Sequence, residues 1–200
     1  MKLSSTLSVG LLILLAACTV LGQSKFELAN HHTPVVDAPI FDAFGVALAG
    51  ANYSAELWGG ADSNSLSPLV LIDRGNSREI VPFLDRGYFI PTSTSDNLCV
   101  TSVGAGDFAW LQVRAWDARL GSTYEQVAAL DSGGYGESLL FYADGGNPFL
   151  VPPEIPGPLI GLQSFSLRAV VPEPSVWALF ALGGSALSWA VRAQRRRTPE

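Results

Sequence analysis

The sequence predicts an all-β protein, an antiparallel β-sandwich of Ig-like or jelly-roll type, flanked by an N-terminal signal helix and a C-terminal transmembrane helix. Three observations lead to this prediction. The chain contains 20 Gly and 13 Pro, which interrupt helices and favour turns. From Ile40 onward, short apolar or alternating runs end at Gly, Asn, Asp or Pro, as the strands of a sandwich do. Each end of the chain carries a predominantly apolar segment next to basic residues.

The N-terminal segment, residues 1–22, is typical of a secretory signal peptide. Lys2 precedes an apolar run over residues 7–17 that is too short for a stable membrane span, and small residues follow it. Two processing routes remain open. Ordinary cleavage would fall before Gln23, whereas the residues that end at Cys18 resemble a lipobox and would make Cys18 the lipidated first residue.

Residues 23–38 are expected to form an extended lead-in, because Pro34 and Pro39 disfavour a helix. A β domain of about seven to nine strands is predicted to follow at 39–170. A hairpin is expected where Gly87 ends a turn between two of these strands. The expected strands lie at 53–58, 69–72, 79–83, 88–90, 98–103, 108–117, 137–142 and 163–168.

The strongest strand signal is the alternation over residues 108–117. Successive side chains of a strand point to opposite faces of its sheet. One face therefore places Arg114 between the indoles of Trp110 and Trp116. This arrangement favours either cation–π contacts that shield the sheet or a surface on which a sugar stacks. The opposite face is predicted to be buried and consists of Ala109, Leu111, Val113 and Ala115.

The remaining local signals concern a helix, a loop and the core. Ser122 and Glu125 match a capping box, which predicts a short helix that ends near Leu130. Five prolines between 148 and 158 predict an extended surface loop. Cys99 is expected to be a buried, apolar residue on a strand. The predicted core includes Leu57, Val70, Ile72, Leu111, Val113, Leu139, Phe141, Phe165 and Leu167.

Charge and motif content narrow the functional classes. Residues 23–171 contain 16 acidic and 7 basic residues, a net charge of −9, so a nucleic-acid partner is not expected. His31 and His32 are adjacent, and on an extended chain their side chains point apart, so no metal site is predicted. The sequence has no phosphate loop, dinucleotide fingerprint or Gly-x-Ser-x-Gly elbow. We therefore predict neither a cofactor nor catalytic activity.

The C-terminal segment has three parts in a fixed order. Val171, Pro172, Glu173 and Pro174 lead into an apolar span over 176–191, which as a helix would be about 24 Å long. Basic residues that flank apolar spans stay cytoplasmic, so both ends of the chain are expected to face the cytoplasm before processing. The charged stop that follows the span consists of Arg192, Arg195, Arg196 and Arg197.

This tail, residues 171–197, resembles the PEP-CTERM sorting signal. The resemblance implies that exosortase, a membrane protease, recognises the tail and cleaves it near Pro-Glu-Pro. Proteins with such tails are mostly exported by bacteria that make exopolysaccharide or biofilm. Similar tails are also labelled as an ice-binding protein C-terminal motif, which describes the tail and not the domain. Residues 52–60, 113–117 and 162–165 are similar, more loosely, to a module that recurs on PEP-CTERM proteins.

These observations lead to ranked expectations about function. The first is a non-catalytic structural protein of the cell surface or extracellular matrix that passes through an inner-membrane intermediate. Its expected partners are signal peptidase, exosortase, the membrane before processing, and exopolysaccharide. One alternative is a carbohydrate-binding module that stacks sugars on Trp58, Trp110 and Trp116. Another is a lipoprotein anchored through Cys18.

Overall fold

The computed structural model describes residues 23–89 and 98–170, and these residues form an all-β, antiparallel domain. The predicted signal peptide and the predicted sorting tail lie outside the described residues. One short α-helix, α1 (Tyr124–Ala129), and one 3-10 turn (Ile72–Arg74) interrupt the strands. The strands are β1 (Gln23–Phe26), β2 (His31–His32), β3 (Val36–Asp37), β4 (Tyr53–Gly60), β5 (Ser67–Pro68), β6 (Val70–Leu71), β7 (Ser77–Arg78), β8 (Val81–Asp85), β9 (Tyr88–Phe89), β10 (Leu98–Gly104), β11 (Ala109–Asp117), β12 (Tyr135–Glu137) and β13 (Phe141–Ala143).

The strands form two main sheets and a small ribbon. The large sheet has the order β12-β11-β4-β8-β9, with β13 also paired to β11 and β5 also paired to β4. The small sheet has the order β1-β10-β6-β7, and β2 and β3 form the ribbon. β4 and β11 pair over eight residues, from Tyr53 opposite Asp117 to Gly60 opposite Trp110. This is the longest strand pairing in the large sheet as the structure describes it.

The main core contains side chains from strands of both sheets, and one position of β4 lies close to residues of each. The predicted strand at 53–58 is extended in the structure, where β4 continues through Gly59 and Gly60. A Cβ atom at Gly59 would lie 2.8 Å from Leu111 of the large sheet and 2.8 Å from Val100 of the small sheet. Gly59 is therefore a point of close approach between the sheets and not a turn.

The predicted lead-in is part of the domain. β1 pairs with β10, and the side chains of Phe26, Leu28 and Ala38 are fully buried in the main core. Asn30 is also buried, and its side chain donates to the carbonyl oxygens of Ala38 and Gly87. Residues 23–38 therefore share the core of the residues that follow, with no break at residue 39. The sequence did not indicate this, because the buried side chains of this segment alternate with polar ones.

Most of the predicted core is confirmed. Ala109, Leu111, Val113 and Ala115 are all buried, as the alternation indicated. The prediction is wrong for Ile72 and Leu139, which are exposed. Val70 and Phe165 are only partly buried. Ile72 is exposed because the chain leaves β6 there and begins the 3-10 turn. Leu139 is exposed because it lies in the break between β12 and β13. The confirmed residues outside β11 are Leu57, Phe141 and Leu167.

Two predicted strands differ from the structure. Residues 137–142 form parts of two strands, and Ser138 lies in the break between them, where its hydroxyl accepts from the Val113 amide at 3.0 Å. Residues 163–168 form no strand, apart from a bridge between Phe41 and Ser166. This last segment is nevertheless held on both sides: Leu167 N–H donates to Phe41, and Arg168 N–H donates to Tyr135.

The predicted hairpin and helix are confirmed in position. β8 and β9 pair around Arg86 and Gly87, which both have positive φ, as a tight hairpin turn requires. The helix cap is shifted by one residue from the prediction. Thr123 is the N-cap and accepts from the Gln126 amide, while the Gln126 side chain accepts from the Ser122 amide at 2.9 Å.

Glu79, which follows β7, is a destabilising element in this domain. Its side chain is only 6% exposed, and neither carboxylate oxygen has a hydrogen-bond partner in the described part of the chain. Burial raises the pKa of the Glu79 carboxyl. The folded state therefore binds this proton more tightly than the unfolded state does, and stability is lost as pH rises from the ordinary pKa through the raised one.

Replacing Glu79 by methionine is expected to raise the free energy of unfolding at pH 8 by about 1–3 kcal/mol, because a buried carboxylate that accepts no hydrogen bond from the described residues is removed. The gain should shrink below pH 4, where the wild-type carboxyl is protonated in both states. Urea unfolding of the full chain in mild detergent at both pH values measures this difference. Asp144→Asn, at an exposed carboxylate, should change stability by less than about 0.5 kcal/mol. A Glu79→Met variant that is less stable than the wild type at pH 8 would contradict this account.

Candidate functional site: the outer face of the large sheet

The face of the large sheet that points away from the core carries most of the polar and aromatic groups of β4 and β11. Alternation places the side chains of these strands in turn toward the core and away from it. In the observed register, Arg114 lies opposite Glu56 and Gln112 lies opposite Trp58. We call this surface the outer face; its central side chains are Glu56, Trp58, Trp110, Gln112, Arg114 and Trp116.

Helix α1 covers one half of the outer face. Trp116 is fully buried beneath it, and the indole Nε1 donates to the carbonyl oxygen of Gly121 at 3.1 Å. The Trp116 ring meets Tyr124 edge to face at 6.5 Å, and Tyr124 meets Tyr135 in the same way at 5.8 Å. Together with Val127, these rings form a second, smaller core. Six residues would not form a stable helix alone, so α1 depends on its packing against these aromatic side chains.

A charged network lies beside the helix and is centred on Glu56. This carboxylate is 1% exposed and accepts from the Trp58 indole at 2.6 Å. Arg78 donates to Glu56 from Nε at 3.1 Å and from Nη2 at 2.6 Å. The same guanidinium reaches Glu125 on α1, with Nη1 2.8 Å from Oε1. Arg78 therefore joins β7, β4 and α1 through one side chain.

The ionisation of this network follows from its geometry. Burial alone would lower the pKa of Arg78, but the hydrogen bonds to Glu56 and Glu125 outweigh that effect and raise it. Burial alone would raise the pKa of Glu125, but the hydrogen bonds from Arg78, the backbone and Thr123, together with the positive charge of Arg78, outweigh it and lower the pKa. Burial, with the neighbouring charge of Glu137, raises the pKa of Tyr124. The arginine and Glu125 are therefore held charged, and Tyr124 is held neutral.

Arg114 contacts aromatic rings, but not the predicted ones. Its guanidinium carbon lies 3.7 Å from the centre of the Trp58 ring and 5.0 Å from that of Tyr124. The sequence predicts that it lies between Trp110 and Trp116, which are four and two residues away on the same strand. The closer partners come from β4 and α1, which only the tertiary fold brings together. Arg114 Nε also donates to Gln112 Oε1 at 2.9 Å, which fixes the guanidinium over the indole.

The predicted sugar-stacking set of Trp58, Trp110 and Trp116 is therefore wrong as a set. Trp116 is fully buried under α1, and the face of Trp58 is covered by the Arg114 guanidinium. Of the three, Trp110 is the one that is partly exposed. The physical reason is that the helix and the arginine network cover the half of the outer face on which the other two lie.

The structure instead brings Trp110 together with two other aromatic residues at the open half of the outer face. Tyr142 of β13 lies directly opposite Trp110, with ring centres 5.2 Å apart. Phe108 lies 5.2 Å from Tyr142, and the two rings are nearly parallel at 15°. Phe108 is 50% exposed and Tyr142 is 54% exposed. We call these three residues the aromatic platform. Tyr142 joins it through the register of β13 on β11, which alternation alone does not specify.

A shallow groove of about 440 Å³ is lined by two residues that lie two positions away from platform residues in the sequence. Gln112, two residues after Trp110 on the same face of β11, lines it, and so does Leu140, two residues before Tyr142. The other lining residues are polar except for Gly136 and Leu139. The polar ones are Glu137, Ser138, Ser166 and Arg168.

The other candidate ligands of the sequence lie elsewhere. Cys99 is buried on β10, as predicted, and burial raises the pKa of its thiol. His31 and His32 are exposed on the β2–β3 ribbon, where His31 Nδ1 lies 3.6 Å from an Asp37 carboxylate oxygen. Within residues 23–89 and 98–170, no three His, Cys, Asp or Glu side chains form a group that could hold a metal ion.

Comparisons of the chain with protein-family models, with curated proteins and with solved structures gave no match. Among the described residues, none of the helices has the length and apolar character needed to cross a bilayer. The predicted span, the sorting motif and the possible lipid attachment residue, Cys18, all lie outside those residues and stay predictions.

Proposed function

We propose that this protein is an exported structural component of the cell surface or extracellular matrix, sorted by exosortase and without catalytic activity of its own. The observation that carries the proposal is the ordered C-terminal arrangement of Pro-Glu-Pro, an uncharged span over 176–191 and a cluster of arginines. Signal peptidase and exosortase are its processing partners. The inner membrane holds the chain through the C-terminal span before the tail is cut.

The end of the described domain is compatible with this route. Arg168, Ala169 and Val170 are all exposed, and Val170 directly precedes the Val171–Pro174 motif. A chain that leaves the domain at its surface presents the next residues to a protease. Pro172 and Pro174 favour an extended backbone, the conformation that proteases bind.

We also propose that the domain is a β-sandwich of Ig-like or jelly-roll type. Two antiparallel sheets enclose one main core, and Gly59 marks their close approach. The central neighbours β11 and β4 are distant in sequence, as are β1 and β10. Such pairings are typical of Greek-key connections and not of a simple meander.

Fractionation of cells tests the sorting route. The full-length protein is expected at the cell surface or in the extracellular matrix, and in the inner membrane when exosortase is deleted. Removal of residues 171–200 should release the protein from both places. Retention in the cytoplasm, or an unchanged location after removal of the tail, would overturn the proposal. The mass of the processed N-terminus then separates cleavage before Gln23 from lipidation of Cys18.

A further inference from the structure

We propose that the aromatic platform and the adjoining groove form a binding site for an uncharged polysaccharide chain. The platform consists of Phe108, Trp110 and Tyr142, and the groove begins at Gln112 and Leu140. This inference goes beyond the sorting route, because it concerns what the exported domain binds. It replaces the set of tryptophans that the sequence suggested with a set that the fold assembles.

The exposure of the platform rings is unusual for aromatic side chains. Aromatic side chains bury large areas when they are covered, so two of them half exposed and next to each other are an informative exception. Within the platform, the centre of the Tyr142 ring lies 5.2 Å from that of Phe108, to which it is nearly parallel, and 5.2 Å from that of Trp110, to which it is tilted by 50°. The exposed parts of these neighbouring rings offer adjacent apolar contacts, which match the apolar C–H faces that recur along a sugar chain.

The platform is also held in place before any ligand arrives. Trp110 lies on β11 and Tyr142 on β13, and these strands are paired. Their neighbours Leu111 and Phe141 are buried on the opposite face of the sheet. The backbone beneath the rings is therefore anchored in the core, and binding orders little that is not already ordered.

The groove supplies hydrogen-bonding groups, which the aromatic rings largely lack. Ligand sites combine aromatic walls with a few well-placed polar groups. Arg168 lines the groove, and its Nη1 donates to the Tyr135 hydroxyl at 2.9 Å, which fixes the position of its guanidinium. Glu137 and Ser166 add acceptor and hydroxyl groups. Sugar hydroxyl groups that extend from the platform into the groove would find both donors and acceptors.

The acidic groups around the site favour an uncharged ligand over a polyanion. Flat rings also stack nucleic-acid bases, but such sites combine stacking with a basic groove. Here the exposed Asp107 and Asp144 flank the aromatic platform in sequence, and in the groove Glu137 offsets the charge of Arg168. The net charge of −9 over residues 23–171 also repels polyanions. A neutral glycan meets no such repulsion.

Affinity electrophoresis of the full chain in mild detergent, with laminarin, dextran or cellohexaose in the gel or in solution, tests the site. At least one of these probes is expected to retard the protein and to change its tryptophan fluorescence. Tyr142→Ala and Phe108→Ala should each weaken binding about tenfold, in line with the loss of one stacking partner. Trp110→Phe should keep the retardation but remove most of the fluorescence change.

Phe149→Ala is the matched control, because Phe149 is also an exposed aromatic residue but lies on the proline-rich loop. It should leave binding unchanged. Unfolding midpoints of all variants, measured in parallel, separate lost binding from lost folding. Binding to none of the three probes would overturn the inference, as would equal losses in Phe149→Ala or preferential binding of alginate or single-stranded DNA. Each of these results is independent of where the protein is found in cells.

Discussion

Replacing Arg78 by methionine is expected to lower the free energy of unfolding by about 3–5 kcal/mol, because the buried carboxylate of Glu56 then loses its charged partner. Glu56 is 1% exposed, and Arg78 supplies it with hydrogen bonds from two nitrogen atoms. The Trp58 indole alone would remain to stabilise the negative charge. Glu125 would lose the same partner, which loosens the attachment of α1 to the sheet.

Urea unfolding of the full chain measures this loss, and two further variants control for it. Arg86→Met removes an arginine whose ion pair with Asp85 is exposed, and it should cost less than about 1 kcal/mol. Glu56→Gln combined with Arg78→Met removes the uncompensated charge and should recover a substantial part of the loss. A double variant no more stable than Arg78→Met would show that the penalty has another origin.

Neutralising the C-terminal arginines is expected to release the protein from the inner membrane, whereas changing the sorting motif should trap it there. A charged residue costs about 2.5–3.5 kcal/mol at the centre of a membrane helix, so Arg195, Arg196 and Arg197 should act as a stop. The span over 176–191 is short, which makes this stop important. With glutamine at these three positions, the chain should cross completely, escape processing and appear soluble in the periplasm or medium.

The sorting motif should act differently. Glu173→Ala leaves the span and its charges intact, so insertion should proceed, but recognition by exosortase should fail. An uncut, membrane-bound form is expected to accumulate, visible as a larger band in the membrane fraction. Lysine at the three arginine positions keeps the positive charge and should retain normal processing. If the glutamine and Glu173→Ala variants fractionate alike, the anchor and the motif do not have separate roles.

Short sequence patterns correctly predicted the two faces of β11, one hairpin turn and the burial of Cys99, because each depends on residues close together in the chain. The two faces of β11 follow from a period of two residues, and its core face is confirmed as Ala109, Leu111, Val113 and Ala115. The turn at Arg86 and Gly87 follows from the backbone conformations that a tight hairpin requires. The buried state of Cys99 follows from an apolar strand around it.

Long-range partners could not be predicted in the same way. Arg114 lies opposite Glu56 in the register, yet Glu56 pairs with Arg78 and Arg114 lies over Trp58. Which arginine reaches a buried carboxylate depends on strands and a helix that are far apart in the chain. The covering of Trp116 by α1 has the same origin, and it is why the predicted stacking set failed.

The break between β12 and β13 shows a further limit. Ser138 keeps its place beside β11 through its hydroxyl, which accepts from the Val113 amide where a backbone carbonyl would otherwise do so. A side chain that substitutes for the backbone leaves no periodic signal in the sequence. The register that this break permits is what places Tyr142 beside Trp110.

The last described segment would bear the mechanical load when the chain is held at its C-terminus and pulled by its surroundings. Force applied at Val170 reaches residues 165–168 first. Backbone hydrogen bonds tie this segment to Phe41 on one side and to Gly134 and Tyr135 on the other. The pull is therefore shared between two separate parts of the domain, namely Phe41 on one side and the start of β12, which is paired with β11, on the other. Resistance to such a pull depends on the rate at which these hydrogen bonds break and not on equilibrium stability.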